Sequence, residues 1–160
     1  MLRFRDASVT DADAHALLGE YFAERALGFP VSQGEYRPAW PDARQFTPPA
    51  GVFIVAVDEA GESVGCGGVR RIPSHPGTSA QRYELKHLWL APSARGAGEG
   101  RRLLQELERR AEGFGASEIV LDTNASLEAA GRLYRSSGYV EIEPYNENPN
   151  ATHWFGRRLG

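Results

Sequence analysis

The sequence holds one cysteine, Cys66, so no disulfide can form within the chain, which fits a reducing compartment. Cys66 lies in the apolar run Val64-Gly65-Cys66-Gly67-Gly68-Val69 and reads as a small buried hydrophobe rather than a nucleophile. Excess positive charge is also missing: the formal net charge is −3. Nucleic acid is therefore not an expected partner, although Arg95, Arg101 and Arg102 cluster as a local anion site would require. No apolar run approaches the ~20 residues of a membrane-spanning helix, and Met1 to Asp6 lacks the apolar core of a signal peptide. These absences predict a cytoplasmic protein with no membrane partner. No spacing of His, Cys, Asp or Glu resembles a zinc site, so no metal is expected. With no linker, repeat or low-complexity tract, residues 1–160 are expected to form a single domain.

Hydrophobic periodicity gives the elements. Leu2 to Ala7 alternates as a strand, and Asp11 to about Leu27 is helical, with Leu17, Leu18, Tyr21, Phe22 and Arg25 at three- and four-residue spacing. Val31 to Pro49 is proline-rich and predicts a loop with at most one short helix. Val52 to Val57 and Ser63 to Ile72 read as a hairpin around Asp58–Glu62. Further strands are predicted over Tyr83–Ala91, Glu118–Asp122, Val140–Ile142 and His153–Arg158. Helices are predicted over Gly100–Glu112 and Ser126–Ser136, the second closed by Gly138. In the first of these, Leu103, Leu104, Leu107 and Ala111 share a face, and Glu106 and Arg110 are spaced to pair. The order predicts an α/β fold with a mixed, mostly antiparallel central sheet flanked by helices.

The most informative segment is Arg95-Gly96-Ala97-Gly98-Glu99-Gly100-Arg101, between a strand and a helix. Its glycines allow a tight turn that exposes consecutive N–H groups at the positive end of a helix dipole, a setting suited to a pyrophosphate. A dinucleotide fingerprint would need glycine where Arg101 stands, and a nucleoside triphosphate loop would need Lys followed by Ser or Thr. The remaining alternative is a glycine-rich turn that binds nothing.

Arg95-x-x-Gly98-x-Gly100 resembles the Q/R-x-x-G-x-G/A pattern of the GNAT superfamily of N-acetyltransferases. Ala130-x-x-Leu133-Tyr134-x-x-x-Gly138-Tyr139 resembles that family's downstream signature, and Glu84-Leu85-Lys86-His87-Leu88-Trp89-Leu90 resembles the strand before its pyrophosphate loop. Many members carry Asn seven residues before the tyrosine; here that position is Leu127, and Asn124 lies three residues earlier.

The resemblance implies a GNAT-like acyl-CoA N-acyltransferase fold and acetyl transfer from acetyl-coenzyme A (acetyl-CoA) to a primary amine. It implies Glu84 as the base that takes the amine proton, directly or through water, and Tyr134 as the acid beside the coenzyme sulfur. Glu84 paired with an arginine such as Arg82, and Tyr134 as a core residue, are the bland alternatives. Backbone groups of Leu88, Trp89 and Leu90 would meet the pantetheine arm and polarise the thioester carbonyl. The backbone of Gly96, Ala97, Gly98, Glu99, Gly100 and Arg101 would hold the pyrophosphate, with charge from Arg95 and Arg101, and Asn124 would serve in place of the missing asparagine.

The acceptor side is less legible. Gly65, Gly67 and Gly68 leave a bare strand that can admit a ligand or another chain segment. The asparagines of Tyr145–Pro149 suit a polar substrate or a turn equally. His87 reads as a second base or as core, and His153 as structural before catalytic. Tyr21, Arg25, Phe29 and Tyr36 suit an acceptor pocket, the first two reading more readily as packing. A small-molecule amine is the expected acceptor. A protein or peptide acceptor, or an acyl-CoA sensor without turnover, are the rivals. Dimers are common in that superfamily, so a homodimer is one expectation, with no interface located by the sequence.

Overall fold

Along Gly51–Val57, Val52, Ile54 and Ala56 enter one hydrophobic core while Phe53 and Val55 enter another. A strand that is apolar on both faces belongs at the centre of a sheet covered on both sides. The computed structural model describes residues 1–160 and has this form. In chain order the elements are β1 (Arg3–Ala7), α1 (Ala12–Gly28), β2 (Gly51–Val57), β3 (Ser63–Ile72), β4 (Arg82–Leu90), α2 (Glu99–Gly113), β5 (Glu118–Thr123), α3 (Glu128–Ser136), β6 (Val140–Glu141) and β7 (His153–Arg158). The seven strands run β1-β2-β3-β4-β5-β7-β6, and all neighbours are antiparallel except β4 and β5. The mixed, mostly antiparallel sheet expected from the sequence is present.

Ala14, Leu17, Leu18 and Phe22 of α1 cover one face of the sheet, with Phe46 beside them. Leu103, Leu104, Leu107 and Ala111 of α2 cover the other, joined by Tyr134 of α3. The α2 leucines are fully buried, so truncating any one to alanine would cost about 2–5 kcal/mol. No helix is long and apolar enough to cross a membrane.

Three sequence expectations are corrected. The segment after α1 forms two 3-10 turns, Val31–Gln33 and Ala43–Phe46, rather than one short helix. Glu106 pairs with Arg109, because Arg110 faces the β1 edge and holds both Asp6 oxygens at 2.6 Å. That contact draws the Asp6 carboxyl below its ordinary pKa. The bare stretch of β3 admits no ligand: a Cβ on Gly67 would stand 2.8 Å from Leu107, and one on Gly68 would stand 2.7 Å from the Phe46 ring. Protein side chains fill that space.

Candidate active site

Strand β4 changes phase in its middle. Tyr83 and Leu85 face the α2 core, and so do Leu88 and Leu90, which differ in parity from the first pair. The extra residue is His87. Its φ of 59° is the one left-handed value outside glycine, and the β3–β4 register shifts beside it, between Cys66 and Gly68. A bulge of this kind re-aims side chains and interrupts pairing. Strand β5 pairs with β4 only at Arg82, Tyr83 and Glu84. Beyond Glu84 the two parallel strands part, and the β5-facing main-chain groups of Leu85 to Leu90 have no strand partner.

A cavity of about 450 Å³ occupies this opening. Its walls come from both faces of the sheet. Tyr21, Phe22 and Arg25 of α1 and the Tyr36–Ala39 loop lie on one side; Leu127, Ala130 and Tyr134 lie on the other. Leu85 to Leu88 and Leu121 to Thr123 form the split itself, and Asn146, Asn148 and Asn150 close the end. Tyr21 and Arg25, which read as packing from their spacing, line the cavity, as does Tyr36. Phe29 stands behind Tyr36, with ring centroids 5.7 Å apart.

Glu84 lies 1% exposed beneath this wall. Arg70, not Arg82, is its partner: Nε donates to Oε1 at 2.9 Å. The Tyr145 hydroxyl donates to Oε2 at 2.7 Å. Arg82 instead donates to the Pro73 carbonyl. The carboxylate that reaches the cavity is Asp122, which accepts from Asn146 at 2.7 Å and lies 3.6 Å from Lys86. Lys86, the one lysine in the chain, also lies 4.0 Å from Glu84, so it joins the two acids. Trp154 fixes Asn146 by donating to its oxygen at 2.9 Å. Sequence reasoning missed Asp122, Arg70 and Lys86. The Asn-x-Asn-x-Asn spacing at 146–150 was the available signal for the loop, and it forms successive side-chain-capped turns as well as cavity wall.

Tyr134 is 7% exposed and lines the cavity. Its ring packs against Tyr139 and Phe155, and its hydroxyl has no hydrogen-bond partner in the protein. Burial pushes its pKa upward, reinforced by Tyr21 and Asp122 and opposed by Arg25. The His87 ring is surrounded by Tyr21, Phe22 and Phe46. Burial, with the charges of Lys86, Arg70 and Arg25, lowers its pKa to about 3, so it stays neutral. Its Nδ1 is buried without a partner. Cys66 is fully buried, and its thiol is pushed up to about 12 by burial and by Glu20. His153 stacks on Phe155, outside the main cavity.

The turn before α2 has the form of an anion cradle. Gly96 and Gly98 take φ of 92° and 77°, and a Cβ on either would meet nothing within 4 Å. The first intrahelical bond runs from Arg102 N–H to the Gly98 carbonyl, leaving the N–H groups of Gly98, Glu99, Gly100 and Arg101 at the positive end of the helix. The neighbouring side chains point elsewhere. Arg95 pairs with Glu24 at 2.9 Å and donates to the Leu90 carbonyl. Arg101 is held by Ser136 and Ser137, while Glu99 pairs with Arg102 and accepts from Leu2 N–H. Ala97 is exposed. Leu88 lines the cavity, Leu90 packs in the core, and Trp89 donates to Glu24 at 2.7 Å. Asn124 is 1% exposed: its amide donates to Gln33 and the Asn150 carbonyl, and its oxygen accepts from Ser126. It ties three loops together.

Residues 15–139 match the model of a family described as "Acetyltransferase (GNAT) family". An uncharacterized N-acetyltransferase of Schizosaccharomyces pombe is 36% identical over 137 residues, covering 86% of this chain and 80% of that one. An IAA acetyltransferase of Azospirillum brasilense is 34% identical over 93 residues, or 58% of this chain and 57% of that one. Among solved structures, a GCN5-related N-acetyltransferase from Kribbella flavida superposes with a TM-score of 0.69 at 27% identity, covering 99% of this chain and 98% of that one.

Proposed function

The chain belongs to the GNAT family of acetyltransferases and is an acyltransferase; from that premise we propose that it transfers acetyl from acetyl-CoA directly to the primary amine of a small molecule. The observation that carries this reading is the parting of β4 and β5 after Glu84, which opens a cavity, while the turn that follows β4 leads into a helix N-terminus with four free N–H groups. The residues present suit the coenzyme: the Gly98–Arg101 amides match a pyrophosphate, and the edge of β4 that β5 leaves unpaired beyond Glu84 matches an amide-bearing arm. Bound acetyl-CoA supplies the activated acetyl thioester.

The protein's part is positioning and proton movement. Asp122, at the cavity wall, draws in the acceptor's ammonium. The amine must lose a proton before its lone pair can attack. That proton leaves toward the coupled Asp122 and Glu84 carboxylates, with water bridging to Glu84 because its oxygens lie behind the wall. As the C–N bond forms and the C–S bond breaks, Tyr134 would give its hydroxyl proton to the leaving thiolate. A hydroxyl whose pKa is raised by burial stays protonated until that moment. The β4 N–H groups facing the gap stabilise charge on the carbonyl oxygen.

A small acceptor is supported by the cavity's size, which is within the range of small-molecule sites. It is supported too by the loop over it, which Asn124 and Asn150 pin in place. The test is coenzyme A release from acetyl-CoA with a panel of free amines and of peptides. Release driven by free amines and not by peptides is the expected result; release with peptides alone would overturn the small-molecule assignment.

A further inference from the structure

Five charged side chains line the cavity, and four of them are cations: Arg25, Arg37, Arg70 and Lys86 against Asp122. The chain as a whole carries −3, so a positive cavity does not follow from composition. Two of the cations are matched: Arg70 by Glu84 at 2.8 Å, and Lys86 by Asp122 at 3.6 Å. Arg25 and Arg37 make no ion pair. Arg25 lies over the Tyr36 ring, 5.1 Å from its centroid, and donates only to the Tyr21 hydroxyl at 3.3 Å. The main chain of Arg37 is gripped from both sides by Asn150, which sets its side chain at the cavity rim.

Unmatched guanidinium groups facing a partly desolvated space attract an oxyanion, which they bind with charge-assisted hydrogen bonds. The coenzyme's phosphates have a separate place, because none of the cradle residues Gly96 to Arg101 lines this cavity. The anion must therefore come with the acceptor. Asp122 provides the opposite charge in the same space, so the cavity is laid out for a molecule bearing both signs.

We propose, building on the acetyl-transfer reading, that the acceptor is an amine that also carries an acidic oxygen group, a carboxylate or a phosphonate. Arg25 and Arg37 hold the acid while Asp122 faces the amine. The enzyme then acts on amino acids in the broad chemical sense and converts a zwitterion into an N-acetylated acid.

The experiment compares three primary amines on the same two-carbon spacer, β-alanine, its carboxamide and 2-aminoethylphosphonate, by coenzyme A release and by calorimetric binding to the protein loaded with coenzyme A. The variants are Arg25→Gln, Arg25→Lys and Arg37→Gln. Either acid is expected to exceed the carboxamide by about 10- to 100-fold in kcat/KM or in affinity. The preference should collapse in Arg25→Gln, return in part in Arg25→Lys, and leave the KM for acetyl-CoA unchanged. Arg37 is exposed, so its substitution tests the idea without threatening the fold. The winning acid separates the carboxylate from the phosphonate. Carboxamide used or bound as well as the acids overturns the proposal while leaving acetyl transfer intact. Acid binding that depends on Arg25 without any release upholds it and counts against the transfer reading instead. A rise in the KM for acetyl-CoA in Arg25→Gln overturns it by assigning these cations to the coenzyme.

Discussion

Asn150 grips the main chain of Arg37 from both sides: its oxygen accepts the Arg37 N–H at 3.0 Å, and its amide donates to the Arg37 carbonyl at 2.7 Å. The two residues are 113 positions apart, and the side chain that joins them is 8% exposed. This pairing fixes the segment after α1 as one wall of the cavity. Asn150→Ala should lower stability by about 1–3 kcal/mol in chemical denaturation. It should also raise the acceptor KM while leaving the acetyl-CoA KM in place, because the cradle before α2 does not touch this loop.

Tyr134→Phe removes a hydroxyl that has no partner in the protein and leaves the ring packing on Tyr139 and Phe155 intact. Denaturation midpoints should therefore hold, while kcat falls by roughly 10²–10⁴-fold if the hydroxyl is the acid. Since burial raises its pKa above the ordinary tyrosine value of 10, the wild-type rate should show no alkaline loss from this group below about pH 10. A kcat unchanged in the variant would remove Tyr134 from the chemistry.

Glu84 and Arg70 can be separated by substituting each. If Glu84 serves only to hold Arg70, then Glu84→Gln and Arg70→Gln should reduce kcat equally. The reading above expects Glu84→Gln to lower kcat far more than Arg70→Gln does. Asp122→Asn should weaken acceptor binding as well, because Asp122 lines the cavity and Glu84 does not.

His87 makes stability depend on pH. Its folded pKa is lowered to about 3, against about 6.5 in the unfolded chain. Below pH 6.5 the unfolded chain binds a proton that the folded protein refuses, so stability falls as pH drops from about 6.5 toward 3. The slope approaches about 1.4 kcal/mol per pH unit. His87→Asn, which tolerates the left-handed backbone and does not titrate, should flatten that slope in urea titrations at pH 6 and pH 4. Equal slopes in both proteins would show that the carboxylates alone set the acid response.

Local periodicity located most elements to within a residue or two, because a strand buried on both faces or a helix with one apolar stripe leaves its mark in nearest neighbours. The hairpin at Asp58–Glu62, the leucine face of α2 and the Gly96–Gly98 turn are of this kind. Arg110 pairs outside its own helix because a charge on a helix surface chooses among everything in reach, and its partner Asp6 lies 104 residues away in sequence.

The cavity was the least legible part. The sequence by itself determined the succession of apolar strands and helices along the chain, the glycine turn that exposes amides before α2, and the placing of Tyr134 on a short helix, since each depends on local spacing and backbone freedom. Only the tertiary structure decided that His87 is the extra residue in β4, that β5 leaves its partner after Glu84, and that Arg25, Arg37, Lys86 and Asp122 face one space. Their electrostatics depend on distances between side chains from α1, a loop and two parting strands, and such distances exist only once the sheet has closed around them.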